Sequence, residues 1–107
     1  MPDELSRLSD LNIEDPILRA HYYQRIIEHI ESPSSDLKVH EIKINEEYRP
    51  DLVASRAFGS KELAWLVGLC CDVEDPMDPL PVGEKIYMPQ ASWVRRSMRQ
   101  FMDEMGL

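Results

Sequence analysis

The chain predicts an α+β fold, a small strand–helix–helix–strand unit with a helix added at each end. Three observations predict it. Tyr48–Cys71, reading YRPDLVASRAFGSKELAWLVGLCC, has the marks of two short helices broken at Gly59. Apolar and charged residues alternate just before this stretch, and Gly83–Pro89 after it reads as a short closing strand. Two outer stretches, 15–31 and 90–105, repeat apolar residues at helical spacing.

With 107 residues there is room for one core, since a chain of this size buries roughly two-thirds of its unfolded surface. Twenty acidic against 12 basic residues give a formal charge of −8. Such a surface repels phosphate backbones and argues against a nucleic-acid partner. It serves either solubility or the docking of basic neighbours, and charge alone leaves both open. Cys70 and Cys71 are adjacent, so on a helix they point about 100° apart and neither pair readily nor clamp one metal. Their apolar surroundings suit free thiols in a reducing compartment. Met1–Glu4 is acidic where a signal peptide needs basic residues, and the apolar run Leu63–Cys71 is too short to span a bilayer. The expected compartment is a cytoplasm, with no membrane partner.

Taken in order, residues 1–14 place Leu5, Leu8 and Leu11 at helical spacing in a segment too short to be helical unaided. Asp15-Pro16 is a helix start, Asp as N-cap and Pro at the first helical position. The helix runs to about Glu31, with Leu18, Tyr22, Ile26 and Ile30 on one side and Tyr23 and Ile27 widening the stripe. That stripe faces either this chain's own core or a partner. Ser32–Ser35 breaks the helix. Ile42 and Ile44 alternate with Lys43 and Asn45, which places a strand at about 38–46, with Val39 out of phase.

Pro50 opens the first inner helix and Gly59 suits the left-handed position after Phe58. Ser60 caps a second helix whose Leu63, Trp65, Leu66, Val67, Leu69 and Cys70 leave little polar surface. The acidic, proline-rich run Asp72–Pro81 excludes both a helix and an inner strand. A strand over about 84–88 follows, ended by Pro89. The last helix, from Gln90 or Ser92 to about Met105, aligns Val94, Met98, Phe101, Met102 and Met105, with Arg95, Arg96 and Arg99 opposite. The resulting division is an N-terminal helical extension (1–36), a core (37–89) and a C-terminal helix (90–107).

No arrangement of residues supplies catalysis. His21, His29 and His40 are scattered, the serines lie in no nucleophile elbow, and four glycines form no phosphate loop. Asp72, Glu74, Asp75 and Asp78 lack the central Gly and terminal Glu of a calcium loop. The expectation is a non-enzyme with no catalytic residues, no metal, no cofactor and no small-molecule substrate.

Tyr48-Arg49-Pro50-Asp51-Leu52-Val53-Ala54, then Phe58-Gly59, then Leu63-Ala64-Trp65-Leu66-Val67 resembles the baseplate wedge and LysM-like (ripcord-type) tail proteins of contractile-tailed bacteriophages. Asp75-Pro76 and Pro81-Val82-Gly83-Glu84-Lys85-Ile86-Tyr87-Met88-Pro89 fill that group's Asp-Pro turn and its P-x-G-x-x-[IL]-x-[IVM]-P ending. The match covers about residues 42–89. It implies a LysM-like βααβ core and a structural subunit of a phage tail or baseplate. It also implies a virion location, with contacts to tube, sheath, hub or wedge proteins and to copies of itself. The alternatives are a peptidoglycan-binding LysM module or a subunit of a related contractile secretion or injection machine. Sugar-binding LysM modules usually begin with a Gly-Asp-Thr turn, and Asn45–Leu52 lacks it, which favours the structural branch. The expected partner-facing residues are Leu5, Leu8, Tyr22, Tyr23, Arg95, Arg96, Arg99, Phe101 and Met102.

Overall fold

A computed structural model describes residues 8–33, 35–75 and 77–107. Four helices surround a two-stranded antiparallel sheet: α1 (Pro16–Glu31), β1 (Leu37–Glu41), α2 (Pro50–Phe58), α3 (Ala64–Cys70), β2 (Lys85–Pro89) and α4 (Ala91–Glu104). The mixed helix-and-sheet class is therefore as the sequence indicates. Single 3₁₀ turns at Asp10–Asn12, Ile44–Glu46 and Lys61–Leu63 lead into α1, α2 and α3.

The local signals act as their chemistry dictates. The Asp15 carboxylate accepts from the Ile17 and Leu18 amides, and Pro16 needs no partner at the first helical position. Pro50 does the same for α2, while Gly59 ends that helix at φ 76°, a conformation that a Cβ disfavours. The Ser60 hydroxyl then accepts from the Glu62 amide and restarts the chain toward α3.

The strand placed at 38–46 is shorter than alternation suggests. β1 stops at Glu41, and Ile44 sits 81% exposed in the following 3₁₀ turn. The core face of β1 is Lys38 and His40, opposite Met88 and Ile86, continued by the buried Ile42 beyond the strand. Val39 and its partner Tyr87 point outward. Alternation misled because Ile42 ends the ladder: its amide donates to the Glu84 carbonyl and its carbonyl accepts from Gly83.

The two outer helices are not peripheral. A single buried cluster joins Ile13, Tyr22 and Ile26 to Val53, Leu63, Leu66, Val67 and Met88, and to Val94, Met98 and Phe101. Tyr22 is the meeting point of α1 and α4. Its ring lies 5.6 Å from Phe101 and its hydroxyl bonds Ser97 Oγ at 2.8 Å. Burial pushes that phenol up to about 12, so it stays protonated and can donate. Further along, His29 stacks on Trp93 at 3.8 Å, and Arg25 pairs with Glu104 while lying over Phe101.

The core shared between terminal and central segments yields a direct test. Phe101→Ala lowers unfolding free energy by about 3–5 kcal/mol, while Arg99→Ala stays within about 0.5 kcal/mol. Chemical denaturation measures both. Equal, small losses would show that α4 is an appendage after all.

Candidate functional site

The residues expected to face a partner separate into three groups. Tyr22 and Phe101 are 0% and 1% exposed, each spent on the other, so the partner-facing assignment is corrected for these two. Helical spacing marks an apolar face without saying what covers it, and here α1 and α4 cover each other. Leu8, Tyr23 and Met102 are half-buried. Arg95, Arg96 and Arg99 stand exposed on the outer face of α4, and among the described residues none forms an ion pair. Leu5 lies outside the described residues.

One polar centre was not singled out from the sequence. Glu46 is fully buried, yet both of its oxygens are engaged. The Lys43 amide donates to Oε1 at 2.7 Å, His40 Nε2 lies 3.0 Å from the same atom, and Arg56 donates to Oε2 at 2.9 Å. Burial alone pushes the carboxyl pKa up, but these hydrogen bonds outweigh it and hold Glu46 below the ordinary glutamate range. The centre ties β1 to the turn at 44–46 and to α2, so it fixes the entry of α2 into the core. An acid three residues after Lys43, at the end of a one-turn helix, was the available signal.

A cleft of about 680 Å³ lies between α1, α3 and the acidic loop. Tyr23 and Ile27 of α1 form one wall; Trp65, Gly68 and Leu69 of α3 form another. Trp65 donates from Nε1 to the Leu8 carbonyl at 2.8 Å, and its ring lies 6.1 Å from Tyr23. The Tyr23 hydroxyl in turn bonds the Asp10 carboxylate, so α1 and α3 together hold residues 8–13 beside the cleft. Trp65 is thus a packing residue with its polar handle occupied, as a half-buried indole requires.

The loop closing the cleft is held close to α3. Asp72 turns the chain at φ 58°, and the Val73 amide returns to the Gly68 carbonyl at 2.9 Å. A Cβ on Gly68 would stand 3.3 Å from the Val73 carbonyl, so glycine is what allows this approach. Downstream, the Leu80 amide donates to the Glu47 carbonyl at 2.6 Å, and the Leu80 side chain is buried. The exposed carboxylates of Asp72, Glu74 and Asp78, with half-buried Asp10, line the rim, and among the described residues no lysine or arginine does.

Two cysteines, Cys70 and Cys71, lie at the end of α3. Burial raises Cys70 to about 12 and Cys71 to about 11, which keeps both thiols protonated at neutral pH. Both are free. Among the described residues no three His, Cys, Asp or Glu side chains stand close enough to hold a metal ion. No helix among them is long and apolar enough to cross a membrane. Among the described residues the cleft combines apolar walls with an acidic rim. The chain matches no protein-family model, no curated protein and no solved structure.

Two measurements check this account. Because the folded pKa of Glu46 is depressed, its contribution is complete above the unfolded glutamate value of about 4.3 and is lost as pH falls through the folded value. Urea unfolding across pH 2–7 will therefore show stability dropping below about pH 4, with a shallower drop in Glu46→Gln, which also loses about 1–3 kcal/mol at pH 7. Parallel curves for the two proteins would remove Glu46 from the explanation. Trp65→Phe costs about 1 kcal/mol for the lost hydrogen bond, and Trp65→Ala about 3 kcal/mol. Unchanged melting of both variants would mean that the indole does not hold residues 8–13.

Proposed function

We propose that the chain is a non-catalytic structural subunit of a contractile phage tail or baseplate. It joins tube, sheath, hub or wedge components through protein–protein contacts, with a LysM-like βααβ unit at its centre. It resides in the virion and is assembled in the host cytoplasm. The observation carrying this reading is the set of residues that resemble the tail-protein group, taken with the conformations they adopt. Pro50 opens α2, Gly59 is left-handed between α2 and α3, and Pro89 closes β2 antiparallel to β1. Three residues of that likeness, Pro50, Gly59 and Pro89, stand at element ends, which supports the reading.

The glycan-binding alternative has less support. A sugar groove would need free hydrogen-bonding groups beside the α2 start and the acidic loop. Part of the backbone there is occupied, with Leu80 bonded to Glu47 and Ile42 to Gly83 and Glu84, while the carboxylates of Asp72, Glu74 and Asp78 stay exposed, so what weighs against a glycan site is the missing Gly-Asp-Thr turn.

The test is the particle made by the genome that encodes the chain. Mass spectrometry of purified tails, freed of heads, will detect the chain at a fixed ratio to the tube protein, and antibody labelling will mark one end of the tube. Its absence from purified tails would overturn the assignment. In parallel, sedimentation with purified peptidoglycan will leave the chain in the supernatant; stoichiometric pelleting would transfer the function to carbohydrate binding.

A further inference from the structure

Two surfaces of this molecule carry opposite charges that form no ion pair among the described residues. The first is the cleft, whose apolar floor includes Trp65, Leu69 and Val73 and whose outer rim carries Asp72, Glu74 and Asp78. The second is the face of α4 bearing Arg95, Arg96 and Arg99. Each is exposed. Among the described residues neither set of charges forms an ion pair, with the other set or with anything else.

We infer that the cleft receives the arginine face of α4 from a second copy of this chain, giving head-to-tail association. Arginine is the side chain that suits both parts of the cleft. Its guanidinium pairs bidentately with a rim carboxylate while its methylene stem covers apolar surface, and it stacks on aromatic faces such as Trp65. A lysine patch would satisfy the rim but, as a compact hydrated charge, would leave the floor wet. Asp103 shares the exposed side of α4, so the face is not uniformly basic; three arginines against one carboxylate still leave it opposite in sign to the rim.

The interface pairs two different surfaces, so each bound copy still offers one free cleft and one free arginine face. Such a contact closes into a ring when the rotation between copies allows, and otherwise extends. The inference deepens the assembly role proposed above and rests on it for its biological meaning. It is nonetheless tested on the isolated chain, and either can fail alone.

Sedimentation equilibrium from about 10 μM to about 1 mM, at low and high salt, reads the outcome. The wild type will gain mass with concentration, less so at high salt. Glu74→Lys/Asp78→Lys will weaken self-association about tenfold or more, as will Arg95→Glu/Arg96→Glu/Arg99→Glu. Asp72 is left unaltered because its left-handed backbone penalises most replacements. A chain carrying both sets of reversals will regain association, since the two surfaces then exchange signs. Net charge does not explain this pattern. Each reversal shifts charge by two, so the rim variant moves from −8 to −4 and would self-repel less, not associate less. Circular dichroism confirms that the variants fold. A wild type that stays monomeric at about 1 mM overturns the inference and leaves the cleft to a basic segment of a different protein. So does association that both single-surface variants retain, or that the double reversal fails to restore.

Discussion

Everything in this fold follows from the insufficiency of its sheet. Two strands of five residues bury one face and form no stable structure alone, so helices must cover them. α2 and α3 lie between the strands in sequence and contact both them and each other, but they do not complete the core. The cover is finished by α1 and α4, from the ends of the chain. Tyr22 shows how fully. It fills space against Phe101 and places its hydroxyl where Ser97 and the Val94 carbonyl can receive it, so a polar atom at the centre is satisfied without water. The terminal helices are therefore part of the same cooperative unit as the strands, and the stripe that reads as a binding face is used up in folding.

Glu46 solves a second problem created by the short strand. Once β1 ends at Glu41, the chain must turn sharply to deliver Pro50 and α2 to the core. A buried carboxylate at that turn is costly unless every lone pair is met, and here the Lys43 amide, His40 and Arg56 meet them. Removing any one donor leaves a charge in the interior, so the geometry of the turn is held more tightly than its apolar contacts alone could hold it. The same logic acts at the other loop, where the Leu80 amide and Glu47 carbonyl bond across the two connections.

Much of this was legible in the sequence because it is local. Asp15-Pro16, Pro50 and Gly59 act within four residues of themselves, and the helices start and stop where those residues put them. The helical stripes also named buried residues, Tyr22 and Ile26 on α1 and Val94, Met98 and Phe101 on α4, although Met105 at the end of the second stripe is 43% exposed. Periodicity could not say what would cover a stripe, since that depends on contacts across more than 70 positions, such as Tyr22 to Ser97. The strand boundary was missed for a related reason: Ile44 kept the alternating pattern after the ladder had ended. The cleft was hidden most completely. Trp65 looked like packing and Asp72–Asp78 like a solvated turn, and each description holds by itself. Only the fold brings Asp10, Tyr23 and Ile27 from one part of the chain against them.

Because the core is shared, the surfaces that remain are few and their charges are informative. The acid excess is spread over the chain, but at the cleft Asp10, Asp72, Glu74 and Asp78 gather with no cation among the described lining residues. The arginines show the converse: Arg25, Arg49 and Arg56 are each spent on a carboxylate of the same molecule, whereas the three on the outer face of α4 are not. A chain of net charge −8 has ample carboxylates with which to neutralise three arginines intramolecularly. It pairs some elsewhere and leaves these exposed, on the side of α4 that its buried residues leave free. Exposed ion pairs contribute little to the stability of a fold, so leaving them unmade costs the monomer almost nothing. Where two surfaces meet, such charges set orientation and on-rate more than raw affinity.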